Sequence, residues 1–322
     1  MANITTEESE IVLKDGHKLF AKEWKLVLTA AEPLPSQTPA APIASIIFLH
    51  GFSDHCGAYY DFFPDLANRG INTYAFDQRG WGKSSLEKKQ WGVTGGTAAI
   101  FSDLDEIITA RLTHCQSQPT QPPLFLVGHS AGGALTLTYA YSGALRSKLA
   151  GFVASSPFIS LSPAEKPNPL VVMVGKLASR VMPNFQMLNK LDPSNVSRDP
   201  VVCKTFADDK LCHDTGTLAG LAGMLERGAR LLSAEFVKKF DKKKPVLLLH
   251  GSADKVTDFN ASKKFFGLLE AEDREFKEYE GWYHKLHADL PETRKEYSTD
   301  VASWIVTKAE EIKKAEVPTA NL

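Results

Sequence analysis

The segment GHSAG at residues 128–132 places Ser130 in the pattern G-x-S-x-G. In this pattern a sharp turn between a strand and a helix lifts the serine above the sheet, where its hydroxyl group can attack a carbonyl carbon. The flanking residues favour this geometry, because LFLV is typical of a strand and ALTLTYA of a helix. Ser130 is therefore the candidate nucleophile, and a glycine-rich turn without catalytic function is the alternative.

A nucleophilic serine needs a base that takes its proton and a carboxylate that orients the base. Where this turn occurs, the acid and the histidine follow the serine in that order, each after a strand. The segment PVLLLHGSAD supplies Asp254, and FKEYEGWYHKLH supplies His284. Asp258, at the start of the next helix, and His287, which follows His284 closely, are the alternatives for the acid and the base.

Acyl transfer also develops negative charge on the carbonyl oxygen, which two backbone N–H groups normally stabilise. The N–H of Ala131, at the start of the helix after the serine, is the first predicted donor of this oxyanion hole. The second is the N–H of Phe52, in the loop FLHGFSDH after an earlier strand. His50, at the end of that strand, is expected to make structural hydrogen bonds.

The composition bounds the class of protein. A chain of 322 residues with 43% hydrophobic residues can bury a large core, and its net charge of −1 gives no electrostatic reason for nucleic-acid binding. The four cysteines show no CxxC spacing, and the polar N-terminus MANITTEESE does not resemble a secretory signal. No apolar run approaches the length of a membrane span. We therefore expect a cytoplasmic protein, with binding to a membrane surface left open.

Two further patterns are candidate binding sites. His284 and His287 have a His-x-x-His spacing, but no nearby carboxylate or cysteine completes a metal site. The segment DQRGWGKS at residues 77–84 contains Gly-x-Gly, but it lacks the third glycine of a dinucleotide site. It is interpreted as a rigid turn with Asp77 and Arg79 as structural polar groups. The sequence thus predicts neither a metal nor a cofactor.

The order of elements predicts how these residues are positioned. Two antiparallel strands around an Asp-Gly turn are expected at residues 10–26, followed by a Pro- and Ala-rich surface loop at 29–43. Alternating strands and helices then predict a mostly parallel sheet covered on both faces. Residues 158–240 contain helical patterns without a convincing strand. We interpret residues 1–157 and 241–322 as one α/β core, and 158–240 as a helical cap inserted before the last two strands.

Several segments resemble the monoglyceride lipase family of α/β-hydrolases, also described as serine aminopeptidase-like lysophospholipases. They are FLHGFSDH, YYDFFPDLANRGINTYAFDQRGWGKSS, LFLVGHSAGGAL, LDPSNVSRDP, LLLHGSADKVTD and YEGWYHKLHADLPE. The resemblance extends from about residue 10 to the terminal helix. It differs at Ser53, where the family usually has the second glycine of His-Gly-x-Gly, and at Ala131, where methionine is common.

The resemblance implies a fold and a set of roles. It implies an α/β-hydrolase fold with Ser130 as nucleophile, Asp254 and His284 as its relay, and Phe52 and Ala131 as oxyanion donors. It further implies polar groups near the glycerol moiety of a substrate at Asp54 and His287. The helical cap would line an acyl tunnel and contact a membrane or lipid droplet.

The predicted activity is hydrolysis of a monoacylglycerol or related lipid ester to a free fatty acid and glycerol. The apolar run at residues 170–174 in the cap supports a lipid substrate. A lysophospholipase or a broad carboxylesterase is the alternative within the enzyme class, and an aminopeptidase would need an acidic pocket. A hydrolase-fold binding protein without catalysis is the alternative from another class, but such proteins typically lose a triad member.

Overall fold

The structure is a computed structural model that describes residues 3–27, 41–166 and 168–316. In chain order, the strands of these residues are β1 Asn3–Val12, β2 Lys18–Val27, β3 Ala44–Leu49, β4 Ile71–Phe76, β5 Leu124–His129, β6 Phe152–Ser155, β7 Gln186–Leu188, β8 Thr215–Thr217, β9 Val246–Gly251 and β10 Arg274–Tyr279. The α-helices of these residues are α1 Phe62–Asn68, α2 Thr97–Ser117, α3 Ala131–Ser142, α4 Pro169–Val181, α5 Pro200–Asp208, α6 Leu218–Leu231, α7 Ala234–Val237, α8 Phe259–Leu268 and α9 Arg294–Glu316.

Eight strands form the central sheet in the order β1-β2-β4-β3-β5-β6-β9-β10. The pairs β1–β2 and β2–β4 are antiparallel, and all others in this sheet are parallel. The predicted α/β class with a mostly parallel sheet is thus confirmed. The Asp-Gly turn between β1 and β2 is also present, with Gly16 at a φ of +82°. Most of the predicted surface loop at 29–43 lies outside the described residues.

The central strands are apolar along their whole length because helices cover both faces of the sheet. Strands β3, β5, β6 and β9 are buried at every residue. Successive side chains point to opposite faces. Ile47 and Leu49 of β3 therefore join the core cluster that includes α2, α3 and α8, and Ile46 and Phe48 join the cluster that includes α1 and α9.

The segment between β6 and β9 is largely helical, as predicted, but it is not free of strands. Gln186–Leu188 and Thr215–Thr217 pair antiparallel as a second small sheet, β7–β8. This corrects the expectation that residues 158–240 contain no strand. Each strand has only three residues, which is too few to show the alternation on which strand prediction depends.

The inserted segment is attached unevenly to the core. The Ser197 hydroxyl donates to the Ala288 carbonyl at 2.6 Å, and the Lys285 N–H donates to the Val196 carbonyl at 2.7 Å. Arg198 forms an ion pair with the buried carboxylate of Asp289. Helix α4, by contrast, has no buried side chain and packs mainly on α6.

The boundaries of the cap at residues 158 and 240 stay a prediction. Leu231, Val237 and Phe240, near the end of the inserted segment, belong to the core cluster beneath α3. In the described part of the chain, no helix combines the length and the apolar character that crossing a bilayer requires.

Candidate active site

Ser130 occupies the turn between β5 and α3, with φ and ψ of 55° and −120°. A positive φ is strained for a residue with a Cβ atom. The neighbours hold the turn in place through close packing. A Cβ atom on Gly128 would lie 2.3 Å from the Gly132 carbonyl oxygen, and one on Gly132 would lie 2.1 Å from the Leu49 carbonyl oxygen. Both glycines of the motif are therefore required by the fold, and Ser130 is presented above the sheet.

Asp254 follows β9 and is completely enclosed. Its Oδ1 accepts hydrogen bonds from the backbone N–H groups of Val256 and Thr257, at 2.7 and 2.9 Å. Its Oδ2 accepts from His284 Nδ1 at 2.8 Å, from the Thr257 hydroxyl at 2.8 Å and from His250 Nε2 at 3.1 Å. Both oxygens are thus fixed by donors, and the carboxylate cannot rotate without losing several bonds.

The charge state of Asp254 follows from these contacts. Burial raises the pKa of its carboxyl group, but the charges of His284 and His250 and their hydrogen bonds outweigh burial and hold that pKa far below its usual range. Asp254 is therefore ionised at neutral pH. An ionised carboxylate only accepts hydrogen bonds, so Nδ1 of His284 carries the proton and Nε2 is left free to accept one.

Ser130 and His284 line the same cavity. The ring of His284 makes its short hydrogen bond to Asp254, and no hydrogen bond joins it to the Ser130 hydroxyl in this structure. Such catalytic contacts are often long before the substrate binds and tighten in the complex. The structure thus brings the three predicted residues to one site, with one of the two contacts of a relay formed.

The predicted oxyanion donors lie beside the serine. A Cβ atom on Gly51 would lie 3.1 Å from the Ser130 Cβ, so the loop that carries Phe52 passes close to Ser130. Ala131 begins α3. Among the described residues, no group accepts a hydrogen bond from the backbone N–H of Phe52 or Ala131. Both N–H groups are therefore available to a ligand.

The cavity above Ser130 has a volume of about 230 Å³ and lies between the core and the inserted segment. Its walls are mostly apolar. The apolar side chains that line it are Phe52, Phe158, Leu161, Val171, Val172, Met187, Leu191, Val196, Phe206, Leu218, Leu221, Ala222, Met224, Leu225 and Val256. Of the predicted cap run at 170–174, Val171 and Val172 line the cavity; Val171 is nevertheless largely exposed, as are Leu170, Met173 and Val174.

A buried polar network borders one end of the cavity. Tyr59 donates to Asp54 Oδ2 at 3.1 Å, and its hydroxyl lies 3.2 Å from His129 Nδ1. The Lys285 ammonium lies 3.1 Å from the same Asp54 oxygen. His129 Nε2 is in turn 3.3 Å from the His284 carbonyl oxygen. The network joins the loops that carry Phe52, Ser130 and His284.

The alternatives from the sequence have other places in the structure. Asp258 caps α8 by accepting from the N–H groups of Asn260 and Ala261, and it pairs with Lys166. His287 is buried against Tyr59, with ring centroids 4.3 Å apart, and is not among the residues that line the cavity. Asp54 does line it. A direct contact of His287 with substrate therefore has no support from its position.

Comparisons with known proteins identify the family of this chain. A family model described as "Serine aminopeptidase, S33" matches residues 40–291. A putative monoglyceride lipase of Schizosaccharomyces pombe is 38% identical over 94% of this chain and 75% of its own length. The monoglyceride lipase of Mus musculus is 31% identical over 92% of this chain and 89% of its own. The chain belongs to the monoglyceride lipase family.

A solved structure shows the same fold for this member of the monoglyceride lipase family. The soluble variant of the Saccharomyces cerevisiae monoglyceride lipase, crystallised with a substrate analogue, superimposes with a TM-score of 0.82 at 24% identity. The match covers 95% of this chain and 96% of the yeast chain. The predicted α/β-hydrolase fold is thus confirmed.

The sequence did not predict two residues of the site in this member of the monoglyceride lipase family. His250, within the quoted segment LLLHGSAD, is a second imidazole on Asp254, and its Nδ1 lies 2.8 Å from the Ser262 hydroxyl. Its signal was a polar residue inside an otherwise apolar buried strand. Lys285 gave no signal, because a lysine beside a loop histidine is normally exposed.

Proposed function

We propose that this member of the monoglyceride lipase family is a serine esterase that hydrolyses monoacylglycerol to a free fatty acid and glycerol. The observation that carries the proposal is the fully buried, ionised Asp254, which holds His284 in a cavity that also contains Ser130. The shape of the cavity and its charges support the choice of substrate.

In the first half of the reaction, the Ser130 hydroxyl attacks the ester carbonyl while His284 Nε2 takes its proton. The carbonyl oxygen becomes negative and accepts from the N–H groups of Phe52 and Ala131. The carbon–oxygen bond to glycerol then breaks, and His284 returns the proton to the glycerol oxygen. The products are glycerol and an acyl group bound to Ser130.

In the second half, water replaces glycerol. It attacks the acyl carbonyl while His284 takes one of its protons, and the oxyanion again faces Phe52 and Ala131. The bond between the acyl carbon and Ser130 breaks, His284 returns the proton to the serine oxygen, and the fatty acid leaves. Asp254 stays ionised and orients the imidazole in both halves.

The cavity suits a long apolar chain joined to a small neutral head. Its walls are mostly apolar, and Asp54 and Lys285, which also line it, oppose each other's charge. An aminopeptidase would need an unpaired carboxylate for the substrate amine. Asp54 is the only carboxylate among the described residues lining the cavity, and it is paired. Among the described residues lining the cavity, the same pairing leaves Lys176, on the exposed helix α4, as the cation for the phosphate of a lysophospholipid, so we expect that class to be the poorer substrate.

The test compares fatty-acid release from monooleoylglycerol, diolein and lysophosphatidylcholine. We expect monooleoylglycerol to be preferred, and we expect Ser130→Ala to lower its turnover by at least about 10³-fold. Ser147→Ala, an exposed serine outside the site, is the matched control and should keep wild-type turnover. Wild-type turnover of Ser130→Ala would overturn the mechanism, and a strong preference for lysophosphatidylcholine would overturn the choice of substrate.

We also propose that α4 contacts a membrane or lipid droplet peripherally, on the cytoplasmic side. Its exposed apolar side chains include Leu170, Val174, Leu177 and Val181, which follow one another at helical spacing on one face. The helix contains Lys176 and Arg180 and no acidic residue. An apolar stripe flanked by basic groups is typical of helices that lie in a membrane interface.

The double variant Val174→Ser/Leu177→Ser tests the membrane proposal. We expect weaker co-sedimentation with phosphatidylglycerol-containing vesicles and unchanged turnover of a short-chain, water-soluble ester. Leu86→Ser removes an equally exposed leucine from another surface and should bind vesicles as the wild type does. Equal vesicle binding by the double variant and the wild type would contradict the proposal.

A further inference from the structure

Lys285 is an unusual lysine. It follows His284 directly, its side chain is only 4% exposed, and it lines the substrate cavity. Burial lowers the pKa of its ammonium group, but the nearby Asp54 carboxylate outweighs burial and the net effect raises that pKa. Lys285 is therefore a buried cation, and buried lysines are retained only with a partner.

The ion pair is shielded from water on several sides. The Lys285 ammonium lies 4.9 Å from the centre of the Phe206 ring, which comes from the inserted segment. Asp54 accepts from the Tyr59 hydroxyl at 3.1 Å and from the His55 N–H at 3.0 Å. One oxygen of Asp54 and one proton of Lys285 face each other, so two ammonium protons remain for other acceptors.

The neighbouring titratable groups leave the pair balanced. The Asp209 carboxylate interacts with Lys285, but it pairs with His55 at 2.9 Å, and neither Asp209 nor His55 lines the cavity. Burial lowers the pKa of His129 far below its usual range, so its ring is neutral. Burial raises the pKa of the Cys212 thiol, which therefore stays protonated. Among the described residues that line the cavity, the remaining permanently charged side chain is Lys176, which lies on exposed α4. The end of the cavity near Ser130 thus has one negative and one positive charge.

We propose that the Asp54–Lys285 ion pair selects the leaving group by its charge, admitting neutral alcohols and rejecting esters with an anionic or a cationic head. The inference rests on the proposed esterase activity and adds the determinant of its specificity. A hydroxyl group can donate to Asp54 and accept from Lys285 without changing the net charge. At this pair, a phosphate or an ammonium group brings a charge whose counter-charge is already engaged in the ion pair, which is costly away from water.

The pair can be broken from either side, and each break makes an opposite prediction. Asp54→Asn leaves Lys285 without a counter-charge, so hydrolysis of oleoyl-lysophosphatidic acid relative to monooleoylglycerol should rise by about tenfold or more. Lys285→Met leaves Asp54 alone, so hydrolysis of oleoylcholine relative to monooleoylglycerol should rise by a similar factor. The double variant is neutral again, and both ratios should return toward those of the wild type.

The measured quantity is the ratio of kcat/KM values for two esters in one preparation, so partial unfolding of a variant cancels. Asp61→Asn removes an exposed carboxylate that pairs with Arg294 on the surface, and its ratios should equal those of the wild type. Unchanged ratios in both single variants would overturn the proposal. A shift of both ratios in the same direction in each variant would also overturn it, because that indicates a change of shape. Failure of the esterase proposal is distinguishable, since Ser130→Ala would then retain turnover of every ester.

Discussion

Replacement of Asp254 by asparagine should move the proton of the His284 ring from Nδ1 to Nε2 while leaving the fold intact. The two backbone N–H groups at Oδ1, from Val256 and Thr257, can only donate. The asparagine oxygen must therefore occupy this position, and its NH₂ group must occupy the position of Oδ2. An NH₂ group donates, so the His284 Nδ1 that faces it has to accept.

The consequence for catalysis depends on which nitrogen atom of the His284 ring carries the proton. When Nδ1 of His284 accepts, Nε2 carries the proton and cannot take one from Ser130. The analogous aspartate-to-asparagine change in a serine protease lowers kcat by about 10⁴-fold, which corresponds to roughly 5 kcal/mol of transition-state stabilisation. We expect a loss of that order here, because the asparagine amide fills the positions of both carboxylate oxygens and changes only the proton on His284.

The assay is fatty-acid release from monooleoylglycerol under saturating substrate, with thermal unfolding to verify the fold. Asp258→Asn, which changes a helix-capping carboxylate four residues away, is the control and should keep most of its turnover. A variant of Asp254 that stays within about tenfold of the wild type would refute the assigned relay, because the imidazole would then not depend on the carboxylate.

Three further predictions concern the supporting structure. Gly132→Ala places a Cβ atom 2.1 Å from a backbone carbonyl oxygen of β3. We expect this to displace Ser130 and to lower turnover, measured per titrated active site relative to the wild type, by about 10²-fold. Asp209→Asn removes the 2.9 Å contact with His55. Burial lowers the pKa of His55, but Asp209 outweighs burial and the net shift is upward; the same hydrogen bond lowers the pKa of Asp209. The contact therefore stabilises most at pH values between the unfolded pKa of aspartate and that of histidine, and its contribution fades above the folded pKa of His55. In urea unfolding, the free energy of unfolding of the variant should be lower than that of the wild type by about 1 kcal/mol near pH 6 and by less at pH 9. An equal difference at both pH values would contradict this. Arg198→Met leaves the buried Asp289 carboxylate without its cation and should lower the free energy of unfolding by about 3 kcal/mol, whereas a loss within error of zero would show that the ion pair does not anchor the insertion.

The sequence predicted the fold, and it predicted that Asp254 and His284 meet, because both depend on local patterns. The apolar runs of β3, β5 and β9 are continuous since both faces of the sheet are covered, and residues at the carboxyl ends of parallel strands meet at one edge. Asp254 and His284 each follow such a strand, so their order along the chain was enough to predict that they meet. The hydrogen bond between them is a geometric consequence of that order.

The contacts that the sequence did not reveal join distant segments of the chain. Asp54 and Lys285 are far apart in the chain, and neither has a neighbour that signals a buried pair. His287 was expected near the substrate by resemblance, but its ring packs against Tyr59 inside the core. The strands β7 and β8 are too short to give a period. Pairings of this kind become visible only when the folded chain brings their members together.

The uneven attachment of the inserted segment determines how a lipid can enter. The part around Val196 and Arg198 is bonded to the loop that carries His284, so moving it away from the core would displace His284. Helix α4 has no buried side chain, yet Val171 and Val172 close one wall of the cavity. We expect α4 to move away from the core while the part of the cap around Val196 and Arg198 stays in place. A membrane that binds the exposed face of α4 would then hold α4 away from the cavity, so the same contact would bind the lipid surface and admit the substrate.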